Sequence, residues 1–389
     1  MSSPLYLDHA STTPPLKEAL EAFCKVAGEH FANPGSLHQP GTSAAASLRH
    51  WRGRLATAFG LDDWGVILTA SGTESDHLGV NGMARAIGGT ESSGTNSRRP
   101  RRVLIGAAEH PAVHDNAMAL REEGFDIDLV PVDPGGVVRP HELEPMLDQD
   151  VALVAVQWAN NELGGINPIA ELVALCRNLA PQAAFHVDAV QAAGKVNQDL
   201  CDLAADSIAV AAHKIGGVRG AAALFLRPGG PRPKPFLLGG GHEGGLRSAT
   251  ENLSGLAAFA TAAEIRRGRL HQDCELYHRR RDQLLDALRV VFPDCIVLGP
   301  KKREEIQGSI LTVAFPGEIA EPLLHRLDQA GIQCGSGSAC SAHGTTESPI
   351  LAAINLDPQL RNSILRFSLD GTEKEEDLRR VAQILVVAR

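Results

Sequence analysis

Aromatic side chains are scarce in this 389-residue chain, only 4% of the sequence, so a base-stacking platform for nucleic acid is not expected. An excess of basic charge is lacking too. The formal net charge is −9, and a polyanionic partner would need a basic face. The densest basic run, Arg98-Arg99-Pro100-Arg101-Arg102, follows the polar segment GGTESSGTNS and reads as a solvated loop, with a docking patch as the alternative. Cysteine is present seven times, an odd number with no CxxC pair, which speaks against a disulfide framework or a zinc knuckle and fits a reducing cytosol. No apolar run approaches the ~18 residues of a membrane span. The opening residues MSSPLYLDHASTTPP have neither a basic region nor an apolar core, so neither export nor anchoring is expected and the cytoplasm is the expected location.

What is there is an ordinary globular composition, 43% hydrophobic and 21% charged, in a chain long enough to divide into two domains. The stretch from Phe185 to Lys214 organises the rest. AFHVD and SIAVAA read as two buried parallel strands, closing on Asp188 and on His213-Lys214. In an open α/β sheet, the carboxyl ends of strands border the ligand crevice, so Asp188 and Lys214 should face one pocket. A desolvated lysine beside a carboxylate is either a structural ion pair or a pair prepared for pyridoxal phosphate, the lysine for Schiff-base formation and the acid for the ring nitrogen.

Around that stretch the pattern predicts a short strand in YLDHASTTPP, helices over 15–30 and 42–60, and a strand VILT followed by the turn Ala70-Ser71-Gly72-Thr73-Glu74 and a helix. That turn suits a phosphate at a helix N-terminus, or it is a plain N-cap. The next strand, VLIGAAEHP, ends on Glu109-His110-Pro111. His110 and His114 stand four apart, but Pro111 belongs at the first helical position, which makes His110 a cap, and no metal site is expected. Strands near 127–132 and 152–157 lead into WANNELGGINP, whose Asn160 and Asn161 are turn formers or ligand amides. AAALFL closes the first sheet. The glycines of GGGHEGG sit at no first strand–helix turn, so they do not form a dinucleotide loop. A long helix over 254–291 joins a second unit, with strands near 295–298, 309–315 and 364–369 and helices near 320–330 and 373–387, completed by the N-terminal strand. Cys340 lies in a loop of small residues, CGSGSACSAHG, as either a tolerated surface thiol or a nucleophile on a mobile arm.

Taken in order, YLDHASTTP, NPGSLH, ASGTESDH, AEHPAV, NNELG, FHVDAVQAAGK, AHKIGG, GGGHEGGLRSATEN, GSACS and LRFSL, from residue 5 to residue 370, resemble the cysteine desulfurases of aminotransferase class V, fold-type-I pyridoxal-phosphate enzymes that supply sulfur for iron–sulfur clusters. The resemblance implies an α/β fold: a large domain over 15–263 with a seven-stranded, mostly parallel sheet, and a smaller α+β domain from 1–14 and 264–389 that carries the Cys340 loop. It implies a homodimer, L-cysteine as substrate and a sulfur-acceptor protein as partner. It assigns Lys214 to the cofactor's aldehyde carbon and to the substrate's α-proton, Asp188 to the pyridine nitrogen and Gln191 to the phenolic oxygen. His110 is expected against the ring as a proton shuttle. Gly72, Thr73 and His213 are expected at the phosphate, with Thr250 reaching across from the other subunit. Asn161 and Arg366 are expected at the substrate carboxylate, and Cys340 as the thiolate that carries the sulfur as a persulfide. Within the family, a selenocysteine or cystine lyase is the alternative; outside enzymes, a non-catalytic scaffold for cluster assembly. Four positions depart from the family pattern: Ala211 for a phosphate-binding serine, Gly244 for an arginine, and Ala249 and Asp370 for glycines.

Overall fold

The computed structural model describes residues 4–89, 100–336 and 348–386. The chain opens with a three-residue strand, β1 (Leu5–Leu7), that joins a sheet built much later. Seven strands follow: β2 (Gly65–Thr69), β3 (Arg102–Gly106), β4 (Asp126–Val130), β5 (Val151–Gln157), β6 (Ala184–Asp188), β7 (Ser207–Ala211) and β8 (Ala222–Leu226), in the spatial order β2-β8-β7-β6-β5-β3-β4. The five strands from β7 to β4 run parallel, while β8 is antiparallel to both β2 and β7. Every residue of β5, β6, β7 and β8 is buried, as expected for strands covered on both faces, and this is why they read as continuous apolar runs.

The second sheet has five strands in the order β1-β11-β12-β10-β9, with β9 (Ile296–Leu298), β10 (Ile310–Ala314), β11 (Ile332–Ser336) and β12 (Ile364–Ser368). β1 pairs in parallel with β11, and Leu5 and Leu7 share a core with Leu284, Phe292, Phe315, Phe367 and Leu378. β11 is absent from the sequence reading because IQCGS lacks the branched, alternating pattern of a strand; its order comes from pairing on both edges.

The helix expected over 254–291 spans Leu253–Val291, about 58 Å at 1.5 Å per residue. Its cap is Asn252, whose side chain accepts from the Gly255 N–H at 2.9 Å. This one rod packs against the helices Lys17–Glu29 and Gln39–Ala58 and against the C-terminal helix Glu375–Val386, so it serves both sheets. The Gln39–Ala58 helix starts three residues before the expected Thr42, because Pro40 fits its first turn and the His38 ring caps it, accepting from Gly41 at 3.2 Å.

Candidate active site

Three strand ends and two helix starts converge on a cavity of about 240 Å³. β6 brings Asp188. β7 ends at Ala211, and a single tight turn, Ala212–Lys214, then carries His213 and Lys214 into the cavity, so the lysine stands on that turn and not on the strand itself. β5 brings Gln157, and the loop that follows it brings Asn161. After β2, Ser71 caps a helical run that begins at Gly72; its side chain accepts from the Glu74 N–H at 3.1 Å. Gly72 is required by close approach, since a Cβ there would lie 2.9 Å from Val190 Cγ2. The cap reading of this turn therefore holds, and the same residues Ser71, Gly72 and Thr73 line the cavity. Glu74 is fastened from outside by Arg247, at 2.7 Å.

The Lys214 ammonium donates to the Ala10 and Ser11 carbonyls at 2.6 and 2.8 Å. Gln191 holds Ala10 from another side, its Nε2 donating to the same carbonyl at 2.7 Å, while its Oε1 is buried with no hydrogen-bond partner among the described residues. The loop after β1 is thus the wall against which both side chains rest. His110 caps the helix Pro111–Ala119, its Nδ1 accepting from Ala112 at 3.1 Å; this requires the neutral imidazole, and burial lowers its pKa with a smaller contribution from Lys214. Asp188 accepts from the Val190 N–H at 2.8 Å. Burial, reinforced by the nearby Asp76, pushes its pKa up to about 7. Burial and then Lys214 push His213 down to about 4, so this imidazole is a neutral donor or acceptor on the cavity wall.

Arg366 is buried on β12. Its Nη2 meets Asp8 Oδ1 and Ser11 Oγ, each at 2.9 Å, its Nη1 reaches the Asn161 carbonyl at 3.1 Å, and its Nε has no partner among the described residues. It is therefore tied to the cavity through Asn161 and the Asp8–Ser11 loop. Thr250 lies elsewhere, in a separate depression beside Arg247 and Asn252. Its neighbour Ala249 adopts φ 142°, a region that favours glycine. Cys340 lies outside the described residues.

Three cavity groups escaped the sequence reading: Asp76 and Gln157, which line it, and Glu109 beneath. Burial holds the Asp76 and Glu109 carboxyls well above the ordinary range. The available signals were weak. Asp76 lies one helical turn past Gly72 and shares its face, and Glu109 precedes the cap His110.

Comparison with known proteins fits this arrangement. The chain is 32% identical to cysteine desulfurase IscS 1 of Archaeoglobus fulgidus over 380 residues, covering 98% of this chain and 95% of the relative. It is 35% identical to an IscS-like cysteine desulfurase of Mycobacterium tuberculosis, again over 98% and 95% of the two chains. Among solved structures, a NifS-like protein superposes with a TM-score of 0.89 at 28% identity, over 99% of this chain and 98% of the other. The fold expected from the resemblance, a seven-stranded and mostly parallel sheet with a smaller second unit, is the one observed. The Aminotransferase class-V family model matches residues 5–381, and the chain belongs to that family.

Proposed function

We propose that the protein is a pyridoxal-phosphate-dependent cysteine desulfurase that converts L-cysteine to L-alanine and places the sulfur on Cys340 as a persulfide, for iron–sulfur clusters or thiolated products. The observation that carries this reading is the meeting of Lys214, a buried Asp188 and a capped helix N-terminus in one cavity. The residues suit the cofactor. A buried carboxyl with a raised pKa suits a cationic ring nitrogen, the orphaned Oε1 of Gln191 suits a polar ring substituent, and the N–H groups at Gly72 and Thr73 suit a phosphate. Bound there, pyridoxal phosphate would supply an electron sink that acidifies the α-proton of the amino acid.

The remaining work falls to the chain. Lys214, whose ammonium donates to two carbonyls, would hold or move a proton at the α-carbon. The neutral ring of His110 can take up a second proton. Arg366 would grip the substrate carboxylate through its guanidinium fork, with Asn161 beside it. Cys340, as a thiolate, accepts the sulfur and can pass it on by exchange to an acceptor protein. In the same reading the protein is a cytoplasmic homodimer, with Thr250 of one protomer completing the cavity of its partner.

Incubation with pyridoxal phosphate and L-cysteine should give a visible absorbance band and one alanine per sulfur, with the persulfide on Cys340 by mass spectrometry. Lys214→Ala should lose the band. Cys340→Ser should keep the band and lose the persulfide, and unchanged sulfur release from that variant would overturn the role of Cys340. Pyruvate in place of alanine would overturn the reaction type.

A further inference from the structure

Beneath the cavity floor lies a polar chain that none of the roles above uses. His186 is completely buried, with Ser207 and Asp76 also excluded from solvent. Both nitrogens of its ring are engaged, Nδ1 with Ser207 Oγ at 2.8 Å and Nε2 with Asp76 Oδ1 at 3.2 Å. Ser207 is the direct register partner of His186 across β6 and β7, so the strand pairing itself delivers the hydroxyl. His186 stands two residues before Asp188 and therefore projects from the same sheet face. Asp76 reaches it from the helical run that starts at the phosphate-side turn, and it lines the cavity as well.

The surroundings are shaped to this ring. A Cβ on Gly79 would fall 2.2 Å from His186 Cε1 and 2.3 Å from Nδ1, so only bare backbone fits there. At that point the helix passes into a π-turn, Leu78–Gly82, a local widening often found at functional sites. Three desolvated polar side chains cost more than an apolar packing of the same volume unless all are satisfied. Here both ring nitrogens are satisfied in either proton state. With Asp76 protonated, its hydroxyl donates to Nε2 and the ring donates from Nδ1 to Ser207. When Asp76 gives up that proton, the ring donates from Nε2 to the carboxylate and Ser207 donates to Nδ1. Asp76 can thus gain or lose charge without orphaning a ring nitrogen, and that charge is felt by Asp188.

We propose that His186, clamped between Ser207 and Asp76, is a positioning residue that sets the placement and charge of the Asp188 carboxylate facing the ring nitrogen of the cofactor. The inference rests on the pyridoxal-phosphate reading. The other ionisable groups that bear on Asp188 are His110 and Glu109, from the neighbouring β3–helix junction.

The test uses the holoenzyme and three variants, His186→Leu, His186→Gln and Ser207→Ala. The readouts are kcat, KM, the pH midpoint of the visible band, and thermal stability. His186→Leu should lower kcat about tenfold with KM unchanged and move the midpoint by about one unit, the equivalent of one lost charge-assisted contact. His186→Gln, which keeps one hydrogen bond, should recover most of both. Loss of thermal stability with an unmoved midpoint would reduce the chain to a structural role and overturn the proposal. If His186→Leu does not fold, Ser207→Ala decides, and a wild-type midpoint and kcat in that variant count against it. A wild-type protein that takes up no cofactor would overturn the underlying reading instead, so the two failures are separable.

Discussion

The two ends of the Lys214 cavity are built in opposite ways. The floor gathers two carboxyls, Asp76 and Asp188, with Glu109 beneath it, and burial raises the pKa of each. Their hydrogen-bond neighbours are neutral: the His186 ring for Asp76, the Gln157 N–H for Glu109, the Val190 N–H for Asp188. The other end offers a helix N-terminus at Gly72 and Thr73, the neutral His213 and the methyl of Ala211. Its positive character comes from backbone N–H groups and the helix dipole. A ligand that is cationic at one end and anionic at the other satisfies both halves, and a simple anion or a simple cation satisfies only one. Breaking the floor should therefore harm turnover, and altering the far end should change affinity.

The largest effect is expected at the floor. Asp188→Asn keeps the shape and removes the charge that the proposed function sets opposite the ring nitrogen, so kcat should fall about 10³-fold, the upper range for loss of one preorganised electrostatic partner. The visible band should persist, since the helix N-terminus at Gly72 and Thr73 is untouched. Steady-state kinetics beside a cofactor titration checks this, and equal losses in kcat and affinity would erase the distinction between the two ends.

The pH dependence of stability sharpens the same contrast in the cofactor-free protein. The Asp188 carboxyl is raised from 3.8 to about 7 in the folded state, so its contribution is full below pH 4 and is lost as pH rises toward 7. The His213 ring is lowered from 6.5 to about 4; the unfolded chain takes up that proton first, and stability is lost as pH falls from 6.5 toward 4. Relative to wild type, Asp188→Asn should gain roughly a few degrees in Tm between pH 5 and pH 8. His213→Gln should show a smaller change of opposite sign, its relative gain being largest at pH 5. Calorimetry of both variants across that range is the measurement, and parallel curves would mean that the two ends do not differ electrostatically.

The floor and the far end also differ in how legible they were. Lys214, Asp188, His110 and Thr73 each stand where a buried strand ends or a helix begins, and apolar runs such as SIAVA and AFHVD make those boundaries visible in the sequence. Asp76 and His186 carry no such marker. One looks like an ordinary polar residue one turn into a helix, the other like a strand residue before an acid. Their contact depends on the helix after Gly72 crossing β6, with Gly79 against the imidazole, which is tertiary information. Arg366 entered only through the resemblance; its ties to Asp8, Ser11 and the Asn161 carbonyl join β12 to residues more than 200 positions away. β11 was missed because its sequence follows its pairing and not the reverse.

The smallest predicted effect, and a gain, belongs to Ala211. It ends β7, lines the cavity, and its Cβ lies 3.6 Å from the position a Cβ on Gly72 would take, so its methyl faces the helix N-terminus at which a phosphate would sit. A hydroxyl on that Cβ would add one donor to a set otherwise made of backbone N–H groups, Thr73 and His213. One added hydrogen bond contributes ~1 kcal/mol, or about fivefold in affinity. Ala211→Ser should therefore tighten pyridoxal phosphate about fivefold in a fluorescence titration and leave kcat with saturating cofactor unchanged, since nothing at the floor moves. A change in kcat without a change in affinity would mean that Ala211 belongs electrostatically with Asp188 and not with Thr73, and the division of the cavity into two ends would have to be redrawn along β7.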